Sequence, residues 1–260
     1  MSEIRLTVII PSRTQDQQAF FLRRSVKSVR DQTAASQFEI TIVVAVDKGE
    51  MLDEALLQEL DVQCVESDGK SQAAALNAAT RRIEGDYLAF LEDDDRWLPH
   101  YLSVVAQVID SADFVSSNQV ELDADGNILR FLDFPTPSGW LMRRTTMEQV
   151  GAFNEAYRYR LDNEWLGRLN VSGLNRVHLV DFHVPSEVQR LIDERIDIYL
   201  VLEATDNRCR VLRHQFPFPL IQRYVHSNSG TALIGQLEAS KQTSLEEYEK
   251  LKQVFGRIPT

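Results

Sequence analysis

The chain opens on a continuous apolar run, Leu6-Thr7-Val8-Ile9-Ile10-Pro11, ended by proline. Such a run predicts a strand buried on both faces. Leu22, Val26 and Val29 then fall at i, i+4 and i+7 with arginine and lysine between them, the spacing of an amphipathic helix. Residues 40–46 predict a second buried strand. Val62-Gln63-Cys64-Val65 predicts a short third, in which the Cys64 thiol is expected to be buried and inert. Alanines dominate residues 73–83, which read as a helix closed by Gly85. Tyr87-Leu88-Ala89-Phe90-Leu91 is a fourth strand, and it runs straight into Glu92-Asp93-Asp94-Asp95. Regular strand–helix alternation implies an α/β fold, Rossmann-like, with a mixed, mostly parallel sheet and helices on both faces.

The second half has a different rhythm. Residues 120–122 and 128–129 flank Asp123-Ala124-Asp125-Gly126-Asn127, the turn chemistry of a hairpin. Pro135-Thr136-Pro137-Ser138-Gly139 is a loop before the strand Trp140-Leu141-Met142. Residues 162–170 are helical in pattern, with Trp165, Leu166 and Leu169 at one-turn spacing, and residues 236–254 form an amphipathic helix rich in Glu and Lys. Trp140 and Trp165 suit either core packing or stacking on a sugar ring. No stretch is long enough to act as a linker, so residues 1–260 are expected to form one domain.

A net charge of −11 argues against binding to a nucleic-acid backbone, which needs a basic face. An acidic protein that binds an anionic ligand has to neutralise it locally, and a bound cation is the usual means. Two isolated cysteines, Cys64 and Cys209, offer neither a disulfide framework nor a thiolate metal site. No window approaches the ~20 apolar residues of a membrane span, and the first residues lack a signal-peptide profile, so a cytoplasmic location is expected.

In open parallel sheets, ligands sit outside the carboxyl ends of the strands. Here each strand of the first half ends in a polar cluster: Ser12-Arg13-Thr14, Asp47-Lys48, Ser67-Asp68-Gly69-Lys70, then Glu92 to Asp95. All four clusters are expected to gather on one edge. The acidic run is the sharpest feature, because adjacent carboxylates repel one another unless a cation offsets the charge. Hard oxygen ligands suit Mg²⁺ or Mn²⁺, which commonly share their coordination with substrate phosphates. The competing account is that these acids cap a helix beginning near Leu98-Pro99.

The order and spacing of several segments resemble family 2 glycosyltransferases. They are Val8-Ile9-Ile10-Pro11-Ser12, Leu22 to Gln32-Thr33, Gly69-Lys70-Ser71 through Ala79, and Gly85-Asp86-Tyr87 through Trp97-Leu98-Pro99. Val150-Gly151-Ala152-Phe153-Asn154-Glu155 and Asp162-Asn163-Glu164-Trp165 continue the likeness, which covers about residues 4 to 175. The resemblance implies a GT-A fold and inverting transfer of a sugar from a nucleotide-diphosphate donor, a UDP-sugar most often. Residues 1–112 would form the nucleotide-sugar half, 113–225 the acceptor half, and 226–260 a C-terminal loop and helix. Within the Asp-x-Asp-like run, Asp94 would be the main metal ligand, with Glu92 or Asp93 on the ribose or a metal-bound water. Asp47 would read the donor base, Pro11, Ser12 and Arg13 would line the same pocket, and Lys70 would approach the base or diphosphate. Asp162 would be the general base, and His226 would reach the metal or diphosphate. The acceptor would be a carbohydrate, a lipid-linked group or a small molecule bearing a hydroxyl.

Each assignment has a plainer competitor. Asp47 suits a turn cap beside Gly49, Lys70 a solvated loop charge, Asp162 a helix N-cap, and His226 an ordinary loop histidine. Glu92 stands where aspartate is more usual. Gln222-Arg223-Tyr224 does not reproduce the Gln-x-x-Arg-Trp spacing of the polymer-forming branch, so transfer of a single sugar is expected. A sugar nucleotidyltransferase would need a Gly-rich phosphate loop after the first strand, and Pro11-Ser12-Arg13-Thr14 holds no glycine. An inactive protein that binds nucleotide sugars is the remaining alternative.

Overall fold

In the computed structural model, residues 3–13, 18–181, 200–206, 209–226 and 229–259 are described. The strands in chain order are β1 (Ile4–Ser12), β2 (Phe38–Val46), β3 (Gln63–Glu66), β4 (Tyr87–Phe90), β5 (Arg96–Trp97), β6 (Phe114–Ser117), β7 (Gln119–Leu122), β8 (Ile128–Leu132), β9 (Leu141–Arg143), β10 (Arg176–Val180), β11 (Leu200–Asp206), β12 (Cys209–His214) and β13 (Ile221–Tyr224). The helices are α1 (Gln18–Arg30), α2 (Glu54–Leu60), α3 (Gln72–Thr80), α4 (Tyr101–Val105), α5 (Arg144–Val150), α6 (Leu161–Val171), α7 (Gly230–Gln236) and α8 (Glu238–Phe255).

Nine strands form the main sheet in the order β11-β12-β10-β6-β9-β4-β1-β2-β3. β1 runs parallel to both β2 and β4, and β2 parallel to β3. β9 inserts antiparallel between β4 and β6, which makes the sheet mixed but mostly parallel. The alternation of side chains in the central strands separates two apolar layers. Val8, Ile10, Ile42 and Val44 point into a layer shared with Leu22, Val26 and Val29 of α1. Ile9, Val43 and Ala45 point into the opposite layer, against Ala75, Leu76 and Ala79 of α3 and Leu161, Trp165 and Leu166 of α6. Trp140 and Trp165 are fully buried in that second layer, with ring centroids 5.2 Å apart, so both tryptophans belong to the core.

A smaller sheet, β5-β13-β7-β8, stands beside the main one. Its first strand follows the acidic run directly. β13 pairs antiparallel with β5 and parallel with β7, so a segment from residues 221–224 is threaded beside residues 96–97. The hairpin expected around residues 123–127 is the β7–β8 connection, with Gly126 at φ +86°.

Two expectations and two of the competing accounts need correction. α3 ends at Thr80 with Arg81 as its C-cap, so Gly85 does not close it. Gly85 instead lies against β1, where a Cβ would come within 2.7 Å of the Arg5 carbonyl oxygen. Cys64 is exposed, and β3 is the last strand in the sheet order, with no further strand beside it among the described residues. The acidic run caps no helix: β5 intervenes, and α4 begins at Tyr101 after His100. Asp162 is not an N-cap either, since Arg160 holds that position. α2, whose Asp53 accepts from the Ala55 amide at 2.7 Å, is an element the apolar pattern did not reveal.

The close approach at Gly85 generates a stability prediction. Gly85→Ala should destabilise the protein by about 1–3 kcal/mol, the usual consequence of forcing atoms into a packed site. An unchanged midpoint in urea unfolding would show that the β1–β4 edge relaxes freely.

Candidate active site

β4 delivers the acidic run to the carboxyl edge of the sheet. The Leu91 amide still donates to the Ile9 carbonyl at 3.0 Å, and the backbone then turns, with the Asp95 amide on the Glu92 carbonyl at 3.1 Å. This turn brings one carboxylate oxygen from each of Glu92, Asp94 and Asp95 to within 4.8 Å of one another. Asp93 is buried and lies outside that trio. A set of hard oxygens at this spacing fits Mg²⁺ or Mn²⁺.

Each carboxylate is held by neighbours from distant segments. Asp95, 1% exposed, accepts from the Ser138 hydroxyl at 2.6 Å and from the Tyr224 amide at 3.2 Å. Glu92 accepts from the Gln72 side chain at 3.0 Å, while its own amide donates to Ser138 Oγ at 3.1 Å. Asp94 Oδ2 lies 2.8 Å from His226 Nε2. That contact holds the imidazole pKa above its ordinary value, against the opposing effect of burial. The His226 ring stacks on Phe21 with centroids 5.3 Å apart, and the Arg24 guanidinium lies 3.6 Å from the Tyr224 ring centre. α1 therefore braces the segment that carries His226.

The charge at this edge is balanced from inside the protein by Arg223. Its guanidinium lies 3.1 Å from Glu121, 3.6 Å from Asp95 and 4.0 Å from Glu92. Burial works against its charge, yet Asp95, Glu92 and Glu121 together hold it above its ordinary pKa. Glu121 is itself buried and receives a second cation, Arg130, at 2.6 Å. Burial pushes the Asp95 carboxyl well above the usual carboxylate range, and the neighbouring Asp94 charge adds to the shift. Burial raises Glu92 as well, with Arg223 pulling the other way.

Asp162 sits in the first turn of α6, its Oδ1 accepting from the Asn163 amide at 2.8 Å. Burial, reinforced by the field of Glu92, raises its carboxyl to about 6, although the Asn163 amide and Arg223 act in the other direction. Asp162 is thus part of the same electrostatic neighbourhood as the acidic run. The preceding turn is fixed to α3 by Asn77, which donates to the Phe153 carbonyl at 2.9 Å and accepts from the Phe153 amide at 2.8 Å. Glu164, the next acid on α6, is bound to Arg168 at 2.9 Å.

At the other end of the edge, Ser12 pairs in register with Val46, so Arg13 and Asp47 leave adjacent strands together. The loop after β3 closes onto the same place through the Lys48 amide on the Gly69 carbonyl at 2.8 Å. Burial raises the Asp47 carboxyl and Glu50 adds to that, while Arg13 and Lys70 are near enough to oppose it. Pro11 is half-buried and Ser12 buried at the end of β1; Arg13 and Lys70 are exposed. Thr14 lies outside the described residues. Arg13 also opposes the upward shifts of Glu92 and His226, so its charge is felt at both the Asp47 corner and the acidic run.

Sequence reasoning missed Asp95 as a member of the carboxylate trio, and it missed Gln72, Ser138 and Arg223. Arg223 carried one signal: a lone arginine inside a strand-like stretch, far from any acid in sequence but paired with three once folded.

A mixed sheet with this acidic turn beyond its fourth strand defines a GT-A fold. The sequence profile of glycosyl transferase family 2 matches residues 7–164, and the chain belongs to that family. An uncharacterized glycosyltransferase, YwdF, of Bacillus subtilis (strain 168) is 27% identical over 135 residues, 44% of this chain. The chain spans about half the length of that relative. S. aureus TarS 1–349 in complex with UDP superposes with a TM-score of 0.58 at 12% identity, over 97% of this chain and 72% of that one. Its complex with UDP-GlcNAc gives 0.59 at 13% identity, over 97% and 73%. The mannosyltransferase PcManGT from Pyrobaculum calidifontis, in complex with GDP-Man and Mn²⁺, gives 0.53 at 15% identity, over 74% and 63%. At these identities the likeness to solved structures establishes the fold.

Removing the internal cation should expose how much charge it balances. Arg223→Met leaves the buried Asp95 and Glu121 and the half-buried Glu92 beside one another without their cation, a change expected to cost about 3–5 kcal/mol near neutral pH. Without the arginine the raised folded-state pKa values of Asp95 and Glu92 rise further, so the variant's stability is retained at low pH and lost as pH climbs. Thermal melts from pH 5 to 8 should show a widening gap to the unmutated protein, and Mn²⁺ should narrow it. A pH-independent gap would show that the arginine contributes packing alone.

Proposed function

We propose that this chain is a metal-dependent, inverting glycosyltransferase that moves one sugar from a nucleotide-diphosphate donor, a UDP-sugar, to an acceptor hydroxyl. The observation that supports this most is the convergence, on one sheet edge, of the Glu92–Asp94–Asp95 trio, the Asp47–Arg13–Lys70 corner and Asp162. The complexes of similar folds with UDP, UDP-GlcNAc and GDP-Man favour a nucleotide-sugar donor, and the Mn²⁺ of one of them favours a divalent metal.

In this reading Asp94, with Glu92 and Asp95, holds Mn²⁺ or Mg²⁺, and His226 orients Asp94 or reaches the diphosphate. When bound, the metal would stabilise negative charge on the departing diphosphate. Asp93 faces the donor ribose, and Pro11 and Ser12 form the wall beside the base. Asp47 accepts from the N3–H of uracil, a proton that cytosine lacks. Arg13 and Lys70, both exposed at the mouth, attract the anionic donor. Asp162 takes the proton from the acceptor hydroxyl as that oxygen bonds to the anomeric carbon from the face opposite the diphosphate. A carboxyl at about 6 suits this role better than an ordinary aspartate, because a base is most effective near the working pH.

Three measurements test the assignment. Asp94→Ala should abolish Mn²⁺-dependent UDP binding in calorimetry while the fold persists; metal-independent UDP affinity in the unmutated protein would sink the metal reading. UDP should bind more tightly than CDP, with Asp47→Ala removing most of the difference; equal affinities would reject Asp47 as the base-reading residue, and a preference for GDP would redirect the donor. Asp162→Asn should keep UDP affinity but lower turnover by ~10²–10⁴-fold. Since a protonated Asp162 cannot accept a proton, the transfer rate of the unmutated enzyme should fall as pH drops through about 6. Full turnover in a folded Asp162→Asn protein would end the base assignment.

A further inference from the structure

α8 lies across the segment that leads into α6, and its buried face has an unusual composition. Its buried positions are Ser240, Ser244, Glu247 and Leu251, at i, i+4, i+7 and i+11. Simple packing of an amphipathic helix would place apolar side chains on such a stripe. Here three of the four are polar, and all three bond to residues 158–160. The Glu247 carboxylate, 3% exposed, accepts from three successive backbone amides: Arg158 at 2.6 Å, Tyr159 at 2.9 Å and Arg160 at 3.0 Å. Tyr159 Oη bonds Ser240 Oγ at 2.8 Å, and Arg160 Nε donates to the Ser244 carbonyl at 3.1 Å. Further on, Asn163 Nδ2 donates to the Pro259 carbonyl at 2.8 Å, and Gly167 gives the Phe255 ring room that a Cβ would fill.

The three amides that Glu247 collects end at Arg160, the N-cap of α6, whose own side chain caps nothing. Asp162 is two residues further on. A buried carboxylate is costly unless its lone pairs are satisfied, so the carboxylate and the three amides constrain one another in position. Glutamine at this position would present an amide nitrogen to amide donors and could satisfy only part of the set.

We propose that Glu247 is a positioning residue for the acceptor-side base: by gathering the amides of residues 158–160 it sets where α6 begins and hence where the Asp162 carboxylate stands. This rests on the reading of Asp162 as the base. Alignment of a base with its proton is sensitive, since a displacement of ~1 Å can lower a rate by ~10²-fold. The donor corner and the carboxylate trio lie on other elements, so donor binding should be indifferent to Glu247.

The test is a double-mutant cycle with Glu247→Gln and Asp162→Asn, read as kcat per folded molecule at saturating donor and acceptor, together with UDP affinity in Mn²⁺. Glu247→Gln should lower kcat by roughly tenfold or more and leave UDP affinity within about twofold. Glu247→Asp, which keeps the charge on a shorter arm, should recover part of the loss. In the Asp162→Asn background, Glu247→Gln should change the residual rate by less than about twofold, because the residue through which it acts is already disabled. Unmutated kcat in folded Glu247→Gln overturns the inference alone. So does a loss of the same size in the Asp162→Asn background, or a fall in UDP affinity that tracks kcat. Full kcat in Asp162→Asn instead overturns the base reading, whatever Glu247→Gln does. If Glu247→Gln does not fold, Tyr159→Phe removes only the Ser240 clasp. It should show the same split with a loss of about threefold, and an unchanged kcat there overturns the inference.

Discussion

The pairing of Arg223 with carboxylates from two sheets is the interaction on which the rest of this edge depends. Glu92 and Asp95 come from the turn after β4 and Glu121 from β7, and the guanidinium between them is carried by β13. Buried acids of this density would repel one another or take up protons without it. A guanidinium suits the place because it stays charged on burial and offers donors in several directions. The same contact fastens the small sheet to the large one. β13 lies between β5 and β7, so Arg223 is held by backbone pairing on both sides while its side chain reaches across.

That arrangement leaves a graded electrostatic edge. At the β1–β2 end, Arg13 and Lys70 are exposed beside Asp47, an entrance that attracts anions. At the β4 end, the carboxylates of Glu92, Asp94 and Asp95 gather beside Arg223 and His226, the place where the proposed reading puts a divalent cation. An anionic diphosphate and a cation would each find the end that suits it, and each would ease the binding of the other. Asp162 stands where the field of Glu92 reaches it.

Much of the sheet was legible because its strands are continuous apolar runs that carry their own boundaries. Residues 40–46 could hardly be anything else, and the proline that ended the first run lies one residue before the end of β1. The convergence of polar clusters followed from parallel topology, which fixes the edge on which strand ends meet. What failed were statements about neighbours. Cys64 lies in an apolar stretch, but burial depends on whether a further strand covers β3, and local pattern carries no record of that. Gly85 followed an alanine-rich helix and resembled a stop signal, while its real constraint is the Arg5 carbonyl of β1, far away in sequence. Asp95 looked like the surplus member of an acidic run because its distinguishing contacts come from Ser138 and Tyr224. Glu247 read as one more charge on an amphipathic helix; its three amide partners lie on a loop that no helical periodicity predicts.

The distance along the chain between Arg223 and the acids it balances has a consequence in time. A ribosome releases β1 to β4, and the acidic turn with them, long before it releases β13. The central strands pair parallel with one another, and that pairing takes nothing from residues 221–224. Until β13 arrives, the turn has Arg24 of α1 beside it but lacks the guanidinium that meets Glu92, Asp95 and Glu121 together. Arg223 and the Tyr224 amide are the last of the Asp95 partners to be synthesised. What arrives last at this edge is therefore counter-charge, and a nascent chain that already carries β1 to β4 still lacks it.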